Sequence, residues 1–233
     1  MTTYTDAEAA RLRAIAALRA AGLAAEADRL AALPRRLTDD RQAEAGIQPR
    51  PRPARGSDVT RWGDWMQTNS GGRFYLLDPR VEDVCPEDIA HALSLLCRYG
   101  GHVDRFYSVA EHCVLLSRAV APEHALAALL HDATEAYVVD VPRPLKRYLP
   151  TYREIEDMVW RVIAARFGIP EEMPEAVKEA DSRILLTERA TLMRHAERWS
   201  QDDDYVPLPV EVAGWLPDVA EQTYLRRLAE LTA

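Results

Sequence analysis

His131 and Asp132 directly follow an unbroken apolar run, Ala125 to Leu130. An imidazole and a carboxylate carried into a buried helix are costly unless they are paired, hydrogen-bonded or bound to a metal. A lone His-Asp dipeptide is common and is most simply a satisfied core pair. Here it has company: His112 lies on the preceding apolar segment beside Val114 and Leu115, and Asp181 on a later one beside Ile184 and Leu185. Two imidazoles and two carboxylates suit a divalent hydrolytic metal such as Mn, Fe, Co, Ni or Zn and leave coordination positions open, whereas structural zinc prefers a closed, Cys-rich shell. Glu135 falls four residues after His131, on the same helical face one turn along, where it can work on an activated water without being a ligand. Its plainer alternative is a surface i,i+4 partner.

Helices must position these donors. Pro86 opens a segment with Ile89, Leu93, Leu96 and Cys97 on one face, and Ser108 caps a helix over Val109 to Val120. A third helix is predicted from about Glu123 to Tyr137, before Pro142 and Pro144 break the chain. Further helices are predicted over Tyr152 to Phe167, Pro174 to about Arg198 and Pro217 to Leu231. The turn residues Asn69, Ser70, Gly71 and Gly72 precede a short strand pair expected around Arg73 to Leu77. No repeat of fixed period is evident, so residues 58–233 read as one all-α helical domain. Residues 1–33, with Leu12, Ile15, Leu18, Leu23, Ala27 and Leu30 at helical spacing, read as a helical hairpin broken at Gly22. Residues 34–57, rich in Pro and with six Arg, read as a flexible linker.

Composition bounds the possibilities. The 233 residues are 48% hydrophobic and 28% charged, with a net charge of -8, as in an ordinary globular protein. The longest stretch free of Asp, Glu, Lys and Arg is nine residues, Ile89 to Cys97, against the roughly 20 a membrane helix needs. No membrane association is therefore expected. The acidic total disfavours extended nucleic-acid binding, which draws on Lys and Arg contacts to phosphate. Asp6, Glu8, Arg11 and Arg13 do not make the basic start and apolar block of a secretory signal, so a cytoplasmic location is expected. Cys85, Cys97 and Cys113 form no close C-x-x-C pair and read as reduced, packed thiols.

The pattern formed by His112, the His131-Asp132 pair and Asp181 resembles the H...HD...D signature of the HD-domain metal-dependent phosphohydrolases, over roughly residues 86 to 190. Within that superfamily it is similar to the nucleotide-directed branch, the HD-type 5'-deoxynucleotidases and the phage dATP triphosphohydrolases. The matching pieces are Arg98-Tyr99, Tyr107 to His112, His131-Asp132-x-x-Glu135, Asp140-x-Pro142-x-Pro144-x-Lys146 and Lys178. The resemblance implies an HD-domain helical bundle in which His112, His131, Asp132 and Asp181 hold one divalent ion (Mn, Co, Fe, Ni, Zn or Mg). It implies that Glu135 and Asp140 orient or deprotonate the attacking water and that Arg98, Lys146 and Lys178 grip phosphate oxygens. Tyr99 and Tyr137 read either as stacking partners of a nucleobase or as core aromatics. The expected substrate is a small-molecule (deoxy)nucleotide, with 5'-nucleotidase and triphosphohydrolase action both open. Relatives of this kind are often homodimers, although no interface is legible here. Alternative readings are a cyclic-nucleotide, dinucleotide or alarmone hydrolase, and a regulatory module that senses a nucleotide.

Two positions depart from the family pattern. Val139 stands where relatives usually carry Gly, and because Val resists positive φ a different loop path is expected. Cys113 follows His112 and is expected to be packed, since the next helical residue points about 100° away. Among the remaining histidines, His124 reads as a solvent-facing helix start, His91 as a hydrogen-bonded core residue and His195 as exposed. His102 is open between a phosphate or base contact and a plain loop residue.

Overall fold

The computed structural model describes residues 61–195, 197–199 and 202–233, together with Leu12, Ile15, Ala16, Arg19, Ala20, Ala24, Asp28 and Ala31. The chain divides into two compact units, Met1–Pro51 and Arg52–Ala233. In the first, every described position is helical, and Arg19 pairs with Asp28 at 3.1 Å. The expected break at Gly22 and the linker over 34–57 lie outside the described residues.

Among its described residues the second unit is all-α apart from one short hairpin. Strands β1 (Met66–Gln67) and β2 (Arg73–Phe74) pair antiparallel, with Met66 opposite Phe74. Asp88 accepts hydrogen bonds from the backbone N–H and hydroxyl of Ser70, at 2.7 and 2.8 Å, and so fastens the hairpin to the first helix. The helices are α1 (Pro86–Leu95), α2 (Val109–Ala119), α3 (Ala125–Leu130), α4 (Glu135–Val138), α5 (Arg143–Lys146), α6 (Pro150–Phe167), α7 (Glu175–Leu192) and α8 (Pro217–Thr232). Pro occupies the first turn of α1, α6 and α8, where its missing donor costs nothing. The hydroxyl of Ser108 caps α2 by accepting from the Glu111 N–H at 3.1 Å.

Two apolar clusters form the core. Ile89, Leu93, Val109, Val114, Leu129, Leu130, Ile163 and Tyr224 join α1, α2, α3, α6 and α8 in the larger one. Leu115, Leu116, Ala128, Val177, Ile184, Leu192, Leu208 and Val212 join α2, α3 and α7 with the chain before α8 in the other. Both α2 and α3 serve both clusters and so run between them. Glu111, also on α2, is fully buried and accepts backbone N–H bonds from Ala213 and Gly214 at 3.0 Å and from Trp215 at 2.5 Å. Gly214 has φ 75°, and a Cβ there would lie 2.9 Å from the Phe106 carbonyl oxygen, so only glycine fits this cradle.

Three local expectations are corrected. The single helix predicted over Glu123 to Tyr137 is interrupted by a turn at 131–134. A continuing helix would offer the carbonyls of Ala128 and Leu129 to backbone N–H groups one turn on. Instead the His131 ring takes the first at 2.8 Å and the buried Tyr224 hydroxyl the second at 3.0 Å, while Ala133 N–H turns to Leu130 at 2.9 Å. Helix α7 ends at Leu192 rather than near Arg198, because the Leu192 carbonyl accepts the backbone N–H of Asp104 at 2.8 Å and Met193 is extended. The loop before Asp140 keeps the positive φ that Val was expected to refuse: Val139 has φ 62° and ψ 161°, and its carbonyl accepts the Tyr152 hydroxyl at 2.9 Å. That backbone region is essentially reserved for glycine and costs a β-branched residue about 1–3 kcal/mol. Val139→Gly is therefore expected to raise the thermal unfolding midpoint by roughly 2–4 °C, after the extra chain entropy of glycine is subtracted. An unchanged or lowered midpoint in differential scanning calorimetry would show that the strain is absent.

Candidate metal centre

The break at 131–134 has a chemical result. Successive residues of a helix point about 100° apart, yet His131 and Asp132 here face the same point. His131 Nε2 lies 3.2 Å from Asp132 Oδ2, 3.2 Å from His112 Nε2 and 3.9 Å from Asp181 Oδ1. His112 Nε2, from α2, is 3.6 Å from Asp132 Oδ2 and 3.4 Å from Asp181 Oδ1, from α7. The structure thus brings together all four residues expected as ligands, and His112, His131 and Asp181 form a group able to hold a metal ion.

The rings are oriented from behind. His131 Nδ1 faces the Ala128 carbonyl, which can only accept, so this nitrogen carries a proton and Nε2 faces the cluster. His112 Nδ1 likewise donates to Glu188 Oε1 at 2.5 Å. A carboxylate or carbonyl behind each imidazole is the arrangement that fixes the tautomer of metal-binding histidines. In the protein without a cation, burial alone would lower the His131 pKa, but Asp132 draws it well above the ordinary value. Burial likewise opposes ionisation of Asp132 and Asp181, yet His131 holds the first, and His112 the second, below the usual carboxylate range. The cluster is therefore a concentration of electron-pair donors that attracts a proton where a cation would fit.

Glu188 was not among the expected residues. It is fully buried and accepts from the Tyr107 hydroxyl at 2.8 Å, the Tyr99 hydroxyl at 2.5 Å and His112. Burial would raise its pKa, but Arg98 and His112 bring it down to about 2. Its position, seven residues after Asp181 and so two turns along the same helical face, is the sequence signal that points to it.

The other expected residues take varied places. Arg98 is buried, with its guanidinium 3.2 Å from Asp132 Oδ2 and 3.4 Å from Glu188 Oε2, and so braces the donor cluster. Tyr99 gives its hydroxyl to Glu188, and its ring lies 6.3 Å from that of Trp199. Lys146 pairs with Glu156 at 2.6 Å. Lys178 is exposed on α7 and pairs with Glu175 at 3.3 Å, a solvated helical face. Arg143, not among the expected residues, places Nη2 3.0 Å from Asp181 Oδ2. Cys113 Sγ is 3.9 Å from His131 Nδ1, and Cys113, His131 and Asp132 form a second group of donors. Burial pushes the Cys113 thiol up to about 11, which favours a neutral packed thiol over a ligand. His91 bonds to Glu221 at 3.0 Å, and His102 and His195 are exposed.

Glu135 lies just past the turn, buried, and its Oε2 has no hydrogen-bond partner among the described residues. Burial first, then Asp132 and Asp140, raise its pKa well above the ordinary value. Asp140 is shifted upward as well, mainly by burial. For an acid whose folded pKa exceeds its unfolded one, the folded state binds more protons, and stability falls as pH rises above the unfolded value. In protein treated with chelator, Glu135→Gln is therefore expected to raise the unfolding midpoint at pH 8 while leaving it nearly unchanged at pH 4. Equal effects at both pH values would contradict the upward shift.

A helical scaffold with a buried His/Asp cluster able to hold a metal ion is the class of protein that fold and site define. No family model matches the chain. It is 47% identical over 128 residues to "Uncharacterized protein YfdR" of Escherichia coli (strain K12), covering 55% of this chain and 72% of that protein, and it belongs to the same family. It is also 38% identical over 126 residues to "Uncharacterized protein RCAP_rcc00048" of Rhodobacter capsulatus, covering 50% of this chain and 64% of that protein. Among the described residues, no helix is long and apolar enough to cross a membrane.

Proposed function

We infer that the chain is an HD-type, divalent-metal-dependent phosphohydrolase acting on (deoxy)nucleotides. The observation that carries this reading is the convergence of His112 Nε2, His131 Nε2, Asp132 and Asp181 on one point, together with a buried Glu135 that feels the Asp132 charge and whose Oε2 has no hydrogen-bond partner among the described residues. The donor set fits a divalent ion: two nitrogens whose rings are held by Ala128 and Glu188, and two carboxylates held ionised.

When bound, such an ion supplies a water acidic enough to be a nucleophile near neutral pH and offsets charge on a phosphoryl oxygen. The chain's own residues do the rest. Glu135 Oε2, unsatisfied and of raised pKa, is suited to exchange a proton with the attacking water or the leaving oxygen. Asp140 helps to orient that water. Arg98 holds Asp132 and Glu188 in register. Tyr99 and Tyr107 keep Glu188 in place behind His112.

Incubating protein loaded with Mn, Co or Mg with nucleoside mono-, di- and triphosphates, and identifying the phosphorus products by 31P NMR, tests the reading. Orthophosphate release identifies a monophosphatase and tripolyphosphate release a triphosphohydrolase. No turnover of any nucleotide would reject it.

A further inference from the structure

The phosphate-gripping role expected of Lys178 has a better candidate in the same site. Lys178 points its ammonium at Glu175 on an exposed face, Lys146 is engaged by Glu156, and Arg98 is buried against Asp132 and Glu188. Arg143 differs from all three. It is in direct contact with a carboxylate of the donor cluster, Nη2 to Asp181 Oδ2 at 3.0 Å, while its side chain remains 62% exposed. The cluster-facing oxygen of Asp181 is Oδ1, so Arg143 stands on its outer side, where the cluster meets solvent. A guanidinium has five N–H donors in a planar fork, and one of them accounts for Asp181.

Resting on the phosphohydrolase reading, we propose that Arg143 is the residue at the mouth of the site that captures a phosphate oxygen of the incoming substrate. Two ligand carboxylates balance a divalent ion, and Arg98 is balanced by Glu188. That balance leaves out the Glu135 and Asp140 carboxyls. Arg143 then adds an exposed positive charge at the entrance, a local attraction for a phosphate dianion in a protein whose total charge is -8. The fork geometry matches two phosphate oxygens, which an ammonium cannot do.

The test uses full-length protein loaded with Mn and orthophosphate as probe. Paramagnetic broadening of the 31P resonance, titrated with phosphate, gives the affinity, and equilibrium dialysis gives the Mn content of each variant. Arg143→Ala is expected to weaken phosphate binding roughly ten-fold or more with Mn content unchanged, and Arg143→Lys to recover only part of that loss. Unchanged phosphate affinity in Arg143→Ala would overturn the proposal. So would a parallel loss of Mn, which would make Arg143 only a brace for Asp181, or the absence of any phosphate binding by wild type. Because the readout needs no turnover, a failed nucleotide panel with a weakened Arg143→Ala titration would reject the substrate assignment and leave the anion site standing.

Discussion

Glu188→Gln is expected to unfold roughly 3–5 kcal/mol more easily than wild type and to bind Mn roughly 10- to 100-fold more weakly. The carboxylate is fully buried between Arg98, His112, Tyr99 and Tyr107. Glutamine is close to its shape but removes the charge that offsets Arg98, and its amide would set two N–H donors among groups that all donate. Its single amide oxygen can serve either His112 and Tyr107 or Arg98 and Tyr99, so one side of the pocket is left facing an N–H and the hold on the His112 ring weakens. Urea titration followed by circular dichroism reads the first effect and calorimetric titration with Mn the second. Wild-type values in both would mean that Glu188 is a passenger in the core.

The second large effect concerns Asp132. Asp132→Ala is expected to reduce Mn affinity by more than ~100-fold, since it removes a donor rather than a support for one, and to cut any nucleotide hydrolysis by about a thousand-fold or more. Asp132 is 3.2 Å from His131 and lies against Arg98, but its side chain is partly open to solvent, so folding should survive the change. Circular dichroism, dialysis against Mn and product analysis on one preparation separate the outcomes. Intact folding with lost hydrolysis supports catalysis. Undiminished hydrolysis would sink the metal-centred reading, and a biological role that outlives the loss of hydrolysis would favour a nucleotide-sensing module.

The residues of the cluster were legible because each sits among apolar neighbours, where burial makes an unpartnered polar group expensive. Leu129 and Leu130 before His131, or Ile184 and Leu185 after Asp181, reveal that much without coordinates. Glu188 has only its two-turn spacing from Asp181 as a signal, and its neighbours speak against burial. Thr187 and Arg189 flank it and give it the look of a solvated face, and its burial depends on Tyr99 and Tyr107, some 80 to 90 residues away along the chain. The break after Leu130 was equally out of reach, because it depends on a ring and a distant Tyr224 hydroxyl outbidding the backbone for two carbonyls. Lys178 is the converse case. A spacing of three from Asp181 places it one turn away on the helix, but its ammonium pairs with Glu175 on a half-exposed face. Arg143 lay unnoticed between two prolines, in a segment that reads as a chain break until its side chain is seen to meet Asp181 of α7.

One junction in the fold reaches further than its chemistry suggests. Glu111 grips the backbone of 213–215, and the next residue along is His112. Metal coordination tolerates errors of only about 0.2 Å. A methyl group at Gly214, pressing on Phe106, would shift α2 through Glu111 and so detune an imidazole a hundred residues upstream. A position with no side chain thus polices the aim of a donor, and harmful variants there would masquerade as lesions of the His/Asp cluster.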